Sequence, residues 1–284
     1  MAKYKVKKKK NLILVVIIIV AILAGLGFGA YKLMGSDSKP ATKEPASEFA
    51  DLDYYHEDLA NRYEAYQKAH KDFNIEEVVT NVNIGLDKEF YAKDNIIIQK
   101  DPESLDTIVN KVYKLEDDWE PSDLVSVTNK TSREPTQQMR KGAAAAFEEF
   151  REACMEDGVR VNIHSGYRST AFQRQIFDNM TKVYGQDHAD TVSSRPGHSE
   201  HTTGLVADIS LDNMEFTSID KHEKYEDVIS KLDDFGFILR YPKGKTKYTG
   251  YSYESWHIRY LGKELAKEVK ESGLTYDQYY ARHH

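Results

Sequence analysis

The chain has 284 residues, with 39 basic and 46 acidic side chains and a net charge of −7. This length allows one or two domains. Seven lysines and no acids lie in residues 1–32, so the rest of the chain holds 32 basic against 46 acidic groups. Such an acidic body argues against nucleic-acid binding. The single cysteine, Cys154, excludes an intramolecular disulfide and a cysteine-rich zinc finger.

The N-terminal region has the pattern of a membrane anchor. Six lysines within residues 1–10 precede an uncharged apolar run from Leu12 to Ala30. About 20 such residues cross a bilayer, and the lysines favour the cytoplasmic side. We therefore predict a cytoplasmic basic tail over 1–10 and a single transmembrane anchor over 11–31, with the remainder outside the cell. A cleaved signal peptide is the alternative, although its apolar core is usually about 7–15 residues.

After the anchor the composition changes twice. Residues 32–50 are rich in Ser, Pro, Lys and Glu and are typical of a flexible spacer. Residues 51–80 carry apolar side chains at helical spacing and predict a membrane-proximal helical segment. The remaining residues, 81–284, form the predicted main domain.

Within the main domain, helical patterns precede most of the strand patterns. This order favours an α+β fold with a small, mostly antiparallel sheet flanked by helices. The helix predicted after Ser169 should turn four apolar side chains toward the interior of the domain: Phe172, Ile176, Phe177 and Met180. The predicted elements are a strand at Asn95–Gln99, a helix from Thr136 to about Gly158 with Cys154 buried, a strand at Val159–Ile163, a helix after Ser169, a helix at Tyr225–Phe235, and strands at Gly236–Tyr241 and Ser255–Tyr260.

Three stretches combine histidine, carboxylate and arginine: SGYRS at 165–169, PGHSEHTTGLVADI at 196–209 and YESWHIRY at 253–260. Zinc prefers imidazole nitrogen and carboxylate oxygen, and catalytic sites use three protein ligands with one open position. His201, Asp208 and His257 can supply that set. Glu254 can act as the general base if a bend or bulge brings it to the face of His257.

The residues alone leave two choices open. His198 lies three positions before His201 and competes with it as a ligand. Glu200 competes with Glu254 as the base.

Taken together, the three stretches resemble the VanY-type zinc D-alanyl-D-alanine carboxypeptidases, a family with related L,D-carboxypeptidases. The family pattern is S-G-Y-R-S with a following Gln, then S-x-H-x-x-G-x-x-x-D, then E-x-W-H-x-R-Y. The resemblance covers roughly 82–262. The chain departs only in Leu205–Ala207, where the family more often has Ala and then Val. Matching residues are Ser165, Gly166, Tyr167, Arg168, Gln173, Ser199, His201, Gly204, Asp208, Glu254, Trp256, His257, Arg259 and Tyr260.

This resemblance implies a role for each group. His201, Asp208 and His257 would hold Zn²⁺, and Glu254 would move a proton from water to the leaving amine. Arg168 would stabilise the oxyanion or anchor the substrate carboxylate. Trp256 and Arg259 would pack in the site and orient the groups around them rather than take part in the reaction. The substrate-binding residues would be Ser165, Tyr167, Gln173, Ser199 and Tyr241.

The resulting expectation is a monomeric, membrane-anchored, extracellular zinc carboxypeptidase that removes the C-terminal D-alanine of peptidoglycan stem peptides. L,D-carboxypeptidase activity on tetrapeptide stems and dipeptidase or endopeptidase activity are alternatives with the same zinc site. A non-catalytic wall-binding module is the alternative of another class. A penicillin-binding serine peptidase is disfavoured because the K-T-G motif is absent. Specificity should reside in 185–194 and 243–251.

Overall fold

A small antiparallel sheet with helices packed around it organises the computed structural model, which describes residues 48–129 and 136–284. This agrees with the predicted mixture of helices and strands. Within these residues no helix has both the length and the apolar character needed to cross a bilayer. The predicted basic tail, the anchor over 11–31 and spacer residues 32–47 lie outside the described residues, so the predicted membrane localisation stays a prediction.

The elements are numbered in chain order. The strands are β1 Ile97–Ile98, β2 Tyr113–Lys114, β3 Leu124–Val127, β4 Gln137–Arg140, β5 Val161–Ser165, β6 Val206–Leu211, β7 Phe237–Tyr241 and β8 Glu254–Tyr260. The α-helices are α1 Ala60–Ala69, α2 Ile75–Asn83, α3 Lys141–Glu156, α4 Thr170–Tyr184, α5 Gln186–Val192, α6 Tyr225–Ser230, α7 Thr246–Thr249, α8 Lys263–Ser272 and α9 Tyr276–His283.

The main sheet has the strand order β5-β6-β8-β7, and all of its pairs are antiparallel. Register places Asp208 of β6 directly opposite His257 of β8. Residues directly opposite each other in an antiparallel pair have side chains on the same face of the sheet. The sheet therefore brings these two candidate ligands together, although 49 positions separate them in the sequence.

An irregularity in β8 brings Glu254 to the same region. Leu239 of β7 pairs with Ile258, but Tyr241, two residues on, pairs with Glu254, four residues back. Strand β8 therefore holds two extra residues at this point, and such a bulge changes which face a side chain occupies. This is the distortion that the sequence required if Glu254 and His257 were to share a site.

The hydrophobic core lies between α3 and the sheet. Phe147, Phe150 and Cys154 of α3 are fully buried with Ile209 and Phe237 of the strands. Burial raises the pKa of the Cys154 thiol to about 11. Cys154 is thus a small buried apolar residue, as predicted.

Two helix predictions are wrong in detail. The helix predicted from Thr136 begins at Lys141, because residues 137–140 pair with β3 as strand β4. In α4 Phe177 is buried as predicted, but Phe172 is 51% exposed, and the other buried positions are Thr170 and Gln173. The buried face of α4 is therefore rotated from the predicted one.

Candidate active site

Three side chains converge where β6, β8 and the 3-10 helix Glu200–Thr203 meet. His201, Asp208 and His257 each offer one ligand atom, and these atoms lie within 4.8 Å of one another. Asp208 Oδ2 is 3.3 Å from His201 Nε2, and Asp208 Oδ1 is 3.3 Å from His257 Nδ1. All three residues are buried. Their spacing and chemistry are those of a three-ligand metal site.

Two glycines shape the backbone that presents His201. Gly204 ends the 3-10 helix with a φ of 67°, a conformation that favours glycine. Gly166 passes the backbone of β4 so closely that a Cβ would lie 2.3 Å from the Gln138 carbonyl oxygen. Any larger residue at 166 would push the two segments apart. That movement would disturb His201, whose Nδ1 donates to the Gly166 carbonyl.

The hydrogen bonds of both imidazoles to Gly166 and Glu200 leave the second nitrogen of each ring turned toward the cluster. His201 Nδ1 donates to the Gly166 carbonyl at 2.7 Å, which leaves Nε2 with its lone pair facing Asp208. His257 Nε2 donates to Glu200 Oε2 at 3.3 Å, which leaves Nδ1 facing Asp208 and Glu254. Metal-bound histidines are typically held in this way through their second nitrogen.

The charges around the cluster also suit a divalent cation. Burial lowers the pKa of His201 to about 4, so this imidazole is neutral at pH 7, as a ligand must be. Burial also acts to lower the pKa of His257, but Asp208, Glu200 and Glu254 raise it well above its usual value. These three carboxylates favour positive charge at this position, and a bound cation would supply that charge in place of the proton. Asp208 Oδ1 is buried and accepts no hydrogen bond. The residues present therefore fit a zinc ion.

Glu254 lies beside the cluster without being one of its members. Its Oε2 is 3.4 Å from His257 Nδ1, and its side chain is 15% exposed and lines the adjoining cavity. Burial raises the pKa of this carboxyl. A carboxylate of raised basicity that reaches open space next to the ligands can exchange protons with water there.

The geometry separates both pairs of residues that the sequence left open. His198 Nδ1 bonds to the Asn110 carbonyl at 2.7 Å, and its ring meets the edge of Tyr91, away from the ligand cluster. The Glu200 side chain is completely buried and accepts hydrogen bonds from Arg240 and Arg259. Glu200 therefore supports His257 and is not free to act as a base.

Arg168 reaches over the same ligand atoms from the loop after β5. Its Nη2 lies 2.5 Å from His201 Nε2 and donates to Asp208 Oδ2 at 3.0 Å. Its other nitrogens donate to Ser165 Oγ and Gln173 Oε1. Both partners hold the guanidinium fork at the cluster, so Ser165 and Gln173 position Arg168.

A cavity of about 210 Å³ opens onto the cluster. Of the five predicted substrate-binding residues, Gln173, Ser199 and Tyr241 line it, whereas Ser165 and Tyr167 do not. Tyr167 lies near Glu120 instead. Trp256 lines the cavity and packs edge-on against Phe216, whereas Arg259 is fully buried.

Sequence reasoning did not name several residues of the cavity wall. Tyr251 lines it, and its hydroxyl contacts Ser194 Oγ at 3.0 Å and the Tyr91 hydroxyl at 3.3 Å. Ile176 and Met180, which the sequence predicted to face inward, form an apolar side of the cavity. Tyr251 and Ser194 lie in or at the edge of the two segments predicted to set specificity, but no motif marked them individually.

Comparison with known proteins extends this picture. The VanY family, D-alanyl-D-alanine carboxypeptidase, matches residues 136–263. The putative carboxypeptidase YodJ of Bacillus subtilis is 38% identical over 189 residues, which cover 64% of this chain and 69% of that protein. The chain belongs to the VanY family. An Enterococcus faecalis D-alanyl-D-alanine carboxypeptidase is 37% identical over 137 residues, covering 45% of this chain and 50% of that protein.

Solved structures of similar fold come from both branches that the sequence suggested. The LdcB LD-carboxypeptidase superposes with a TM-score of 0.60 at 34% identity, over 68% of this chain and 94% of that one. VanY from the VanB-type resistance cassette, in complex with Zn(II), gives a TM-score of 0.54 at 30% identity, over 62% and 98%. This VanY-family chain therefore shares its fold with an LD-carboxypeptidase and with a D,D-pentapeptidase.

The span matched by the VanY family holds the three ligand candidates together with Glu254 and Arg168. Other parts of this VanY-family chain also reach the site. Lys111 Nζ lies 4.6 Å from the ring centroid of Tyr251 and donates to the Asp190 carbonyl. Residues preceding the matched span thus help to fix a cavity wall.

Proposed function

We propose that the protein is a zinc-dependent D,D-carboxypeptidase that releases the C-terminal D-alanine from peptidoglycan stem peptides. The observation that carries the proposal is the convergence of His201, Asp208 and His257, with Glu254 beside them on an open cavity. Membership of the VanY family supports the reaction class. We extend the proposal to a monomer anchored by residues 11–31, with its catalytic domain outside the cell.

Zinc bound by the three ligands would supply Lewis-acid chemistry at the scissile carbonyl. Glu254 would take a proton from the attacking water and deliver it to the leaving amine. Its raised pKa suits this exchange because it brings the pKa of the carboxyl group closer to that of the water that gives up the proton. Glu200 and the Gly166 carbonyl would keep both imidazoles in the tautomers that face the metal.

Arg168 would contribute a positive charge beside the ligand atoms of His201 and Asp208. Its guanidinium is permanently charged and can bind two oxygen atoms at once. Asp208 Oδ2 now accepts a hydrogen bond from Arg168 Nη2. In the proposed complex this bond would be accepted instead by the scissile carbonyl oxygen as it gains negative charge, or by the carboxylate of the terminal D-alanine. The small cavity with the side chains of Ile176 and Met180 suits the methyl group of alanine.

The second candidate is L,D-carboxypeptidase activity. The observation that favours it is the TM-score of 0.60 with LdcB, which exceeds the 0.54 found with VanY. The two activities differ in the residue that precedes the released D-alanine. Both use the same zinc chemistry and the same general base.

Product analysis tests these alternatives. The full-length, zinc-loaded protein is incubated separately with a stem pentapeptide, a stem tetrapeptide and D-Ala-D-Ala, and the products are weighed by mass spectrometry. We expect the pentapeptide to lose one alanine. Loss of alanine only from the tetrapeptide would establish the L,D activity, and release of the intact dipeptide or its hydrolysis would establish the lesser alternatives. No turnover of any substrate would contradict the proposal and favour a wall-binding module.

Arg168→Met should lower kcat/KM by about 10²–10³-fold, because a positioned charge on the oxyanion or the carboxylate is lost. Zinc should remain bound, since Arg168 is not a ligand. Arg174→Met, at an exposed position of α4, is the matched control and should retain activity. Steady-state kinetics on the pentapeptide measures both, and near-normal kcat/KM in Arg168→Met would contradict the assignment.

A further inference from the structure

Four buried charged side chains form a network, called here the charge network, behind the metal-ligand cluster. Glu200, Arg240, Arg259 and Asp277 are each at most 2% exposed. They comprise two positive and two negative charges, so the group is balanced. Breaking such a buried group at one member is costly because another member is left as an uncompensated charge. The position of each member therefore depends on its neighbours.

One end of the charge network contacts a candidate zinc ligand. Glu200 Oε2 accepts from His257 Nε2 at 3.3 Å, while Oε1 accepts from Arg240 Nε at 2.8 Å and from Arg259 Nη1 at 3.2 Å. Both carboxylate oxygens are thus occupied. The orientation of the His257 ring is set by a carboxylate that two arginines hold in place.

The other end lies in the C-terminal helix, beyond the span matched by the VanY family. Asp277 Oδ2 accepts from Arg240 Nη1, and Asp277 Oδ1 accepts from Asn110 Nδ2 at 2.9 Å. A capping box formed by Thr275 and Gln278 fixes the first turn of α9, which carries Asp277. The chain of contacts therefore runs from α9 through Arg240 and Glu200 to His257.

Arg240 joins the two ends of the charge network, because it bonds to both carboxylates. Its planar guanidinium donates through Nε to Glu200 and through Nη1 to Asp277, so one fixed group spans the two carboxylates. Without the Asp277 charge, the Arg240 charge is balanced only by Glu200, which Arg259 already shares. The Arg240 guanidinium is then expected to shift, and the hydrogen bond from His257 Nε2 to Glu200 shifts with it.

We propose that Asp277 is a positioning residue for zinc, acting through Arg240 and Glu200 on the ligand His257. The inference rests on the proposed zinc chemistry of the site. It assigns to the C-terminal helix a part in metal affinity that the three sequence motifs do not contain. Partners of metal-bound histidines commonly change metal affinity by about 10–100-fold when they are removed.

The test is the zinc affinity of full-length variants, measured by competition with a fluorescent chelator. Asp277→Asn keeps the shape of the side chain but removes its charge, and we expect zinc binding about tenfold weaker. The visible absorption spectrum of the Co²⁺-substituted protein should also shift, because it reports ligand geometry directly. Arg282→Met is the matched control, since it removes the contacts of the same helix with Thr80 and Glu76 without touching the four charges.

Arg240→Lys provides a second variant if Asp277→Asn fails to fold. It preserves the charge balance, but a single ammonium group cannot reproduce the fork between Glu200 and Asp277. We expect weaker zinc binding and a shifted Co²⁺ spectrum in this variant as well. Thermal unfolding in the presence of a chelator verifies that each variant is folded.

The outcomes separate the two proposals. Wild-type protein that binds no zinc would overturn the proposed function together with this inference. Wild-type protein that binds zinc and cleaves the pentapeptide, with folded Asp277→Asn or Arg240→Lys binding zinc equally tightly, would overturn the inference alone. An equal loss of affinity in Arg282→Met would also overturn it, because the effect would then follow from a loosened helix.

Discussion

Glu254→Ala is expected to lower kcat by about 10⁴-fold while zinc stays bound. General acid–base catalysis commonly contributes about 10²–10⁴-fold, and Glu254 would act twice, on the water and on the leaving amine. Its carboxyl lies beside the ligand cluster but is not needed to complete it. Turnover of the pentapeptide and zinc content per protein measure the two halves of the prediction.

The control for this variant is Glu271→Ala, at an exposed position of α8 whose carboxylate pairs with Lys267 at the surface. It should leave both kcat and zinc content unchanged. If Glu254→Ala retained activity near that of the wild type, the assigned base would be wrong. If it lost zinc instead, Glu254 would be a ligand.

Replacing His201 by alanine should weaken zinc binding by more than about 100-fold. Zinc bound by protein ligands has an apparent binding free energy on the order of 10 kcal/mol or more. One of three ligands therefore accounts for about 3 kcal/mol, which corresponds to a factor of more than 100 in the dissociation constant. Chelator competition measures the affinity, and activity at limiting zinc should fall in parallel.

His198→Ala is the matched control for His201→Ala, because both are buried histidines of the same segment. Its loss removes a hydrogen bond to the Asn110 carbonyl and should cost about 1 kcal/mol of stability. Zinc affinity should remain close to that of the wild type. The reverse pattern, with zinc lost in His198→Ala and kept in His201→Ala, would reassign the ligand.

Much of the ligand site was predictable because its parts lie in short, recognisable segments. His201, Gly204 and Asp208 fall within one motif, and His257 lies on a predicted strand. The sequence could not give the register that pairs Asp208 with His257, since register depends on contacts between distant strands. The sequence already required a bend or bulge if Glu254 was to share a face with His257, and the pairing of β7 with β8 contains one.

The failures have physical causes as well. Thr136 resembled a helix cap, but residues 137–140 find a strand partner in β3, and this long-range pairing overrides the local preference. Phe172 belongs to the apolar set that was predicted to face inward on α4, but it is exposed. Two other members of that set, Ile176 and Met180, line the cavity and do not pack in the core. Periodicity identifies an apolar face but not what lies against it.

The contacts behind the site were out of reach of any motif. Arg240 meets Glu200 and Asp277 across 40 and 37 positions of sequence. Tyr251 is held by Tyr91 across 160 positions. Such residues carry no local pattern, and only the folded chain brings them together.

Strand β6 lies between β5 and β8, and all six of its residues are buried. Amides in such a central strand exchange with solvent only through large openings of the molecule, whereas loops open far more often. Asp208 therefore lies on a strand whose amides should exchange slowly, and His201 lies on the 3-10 helix beside it. Loop movements that would admit the proposed peptide substrate can then occur while Asp208 keeps its register with His257.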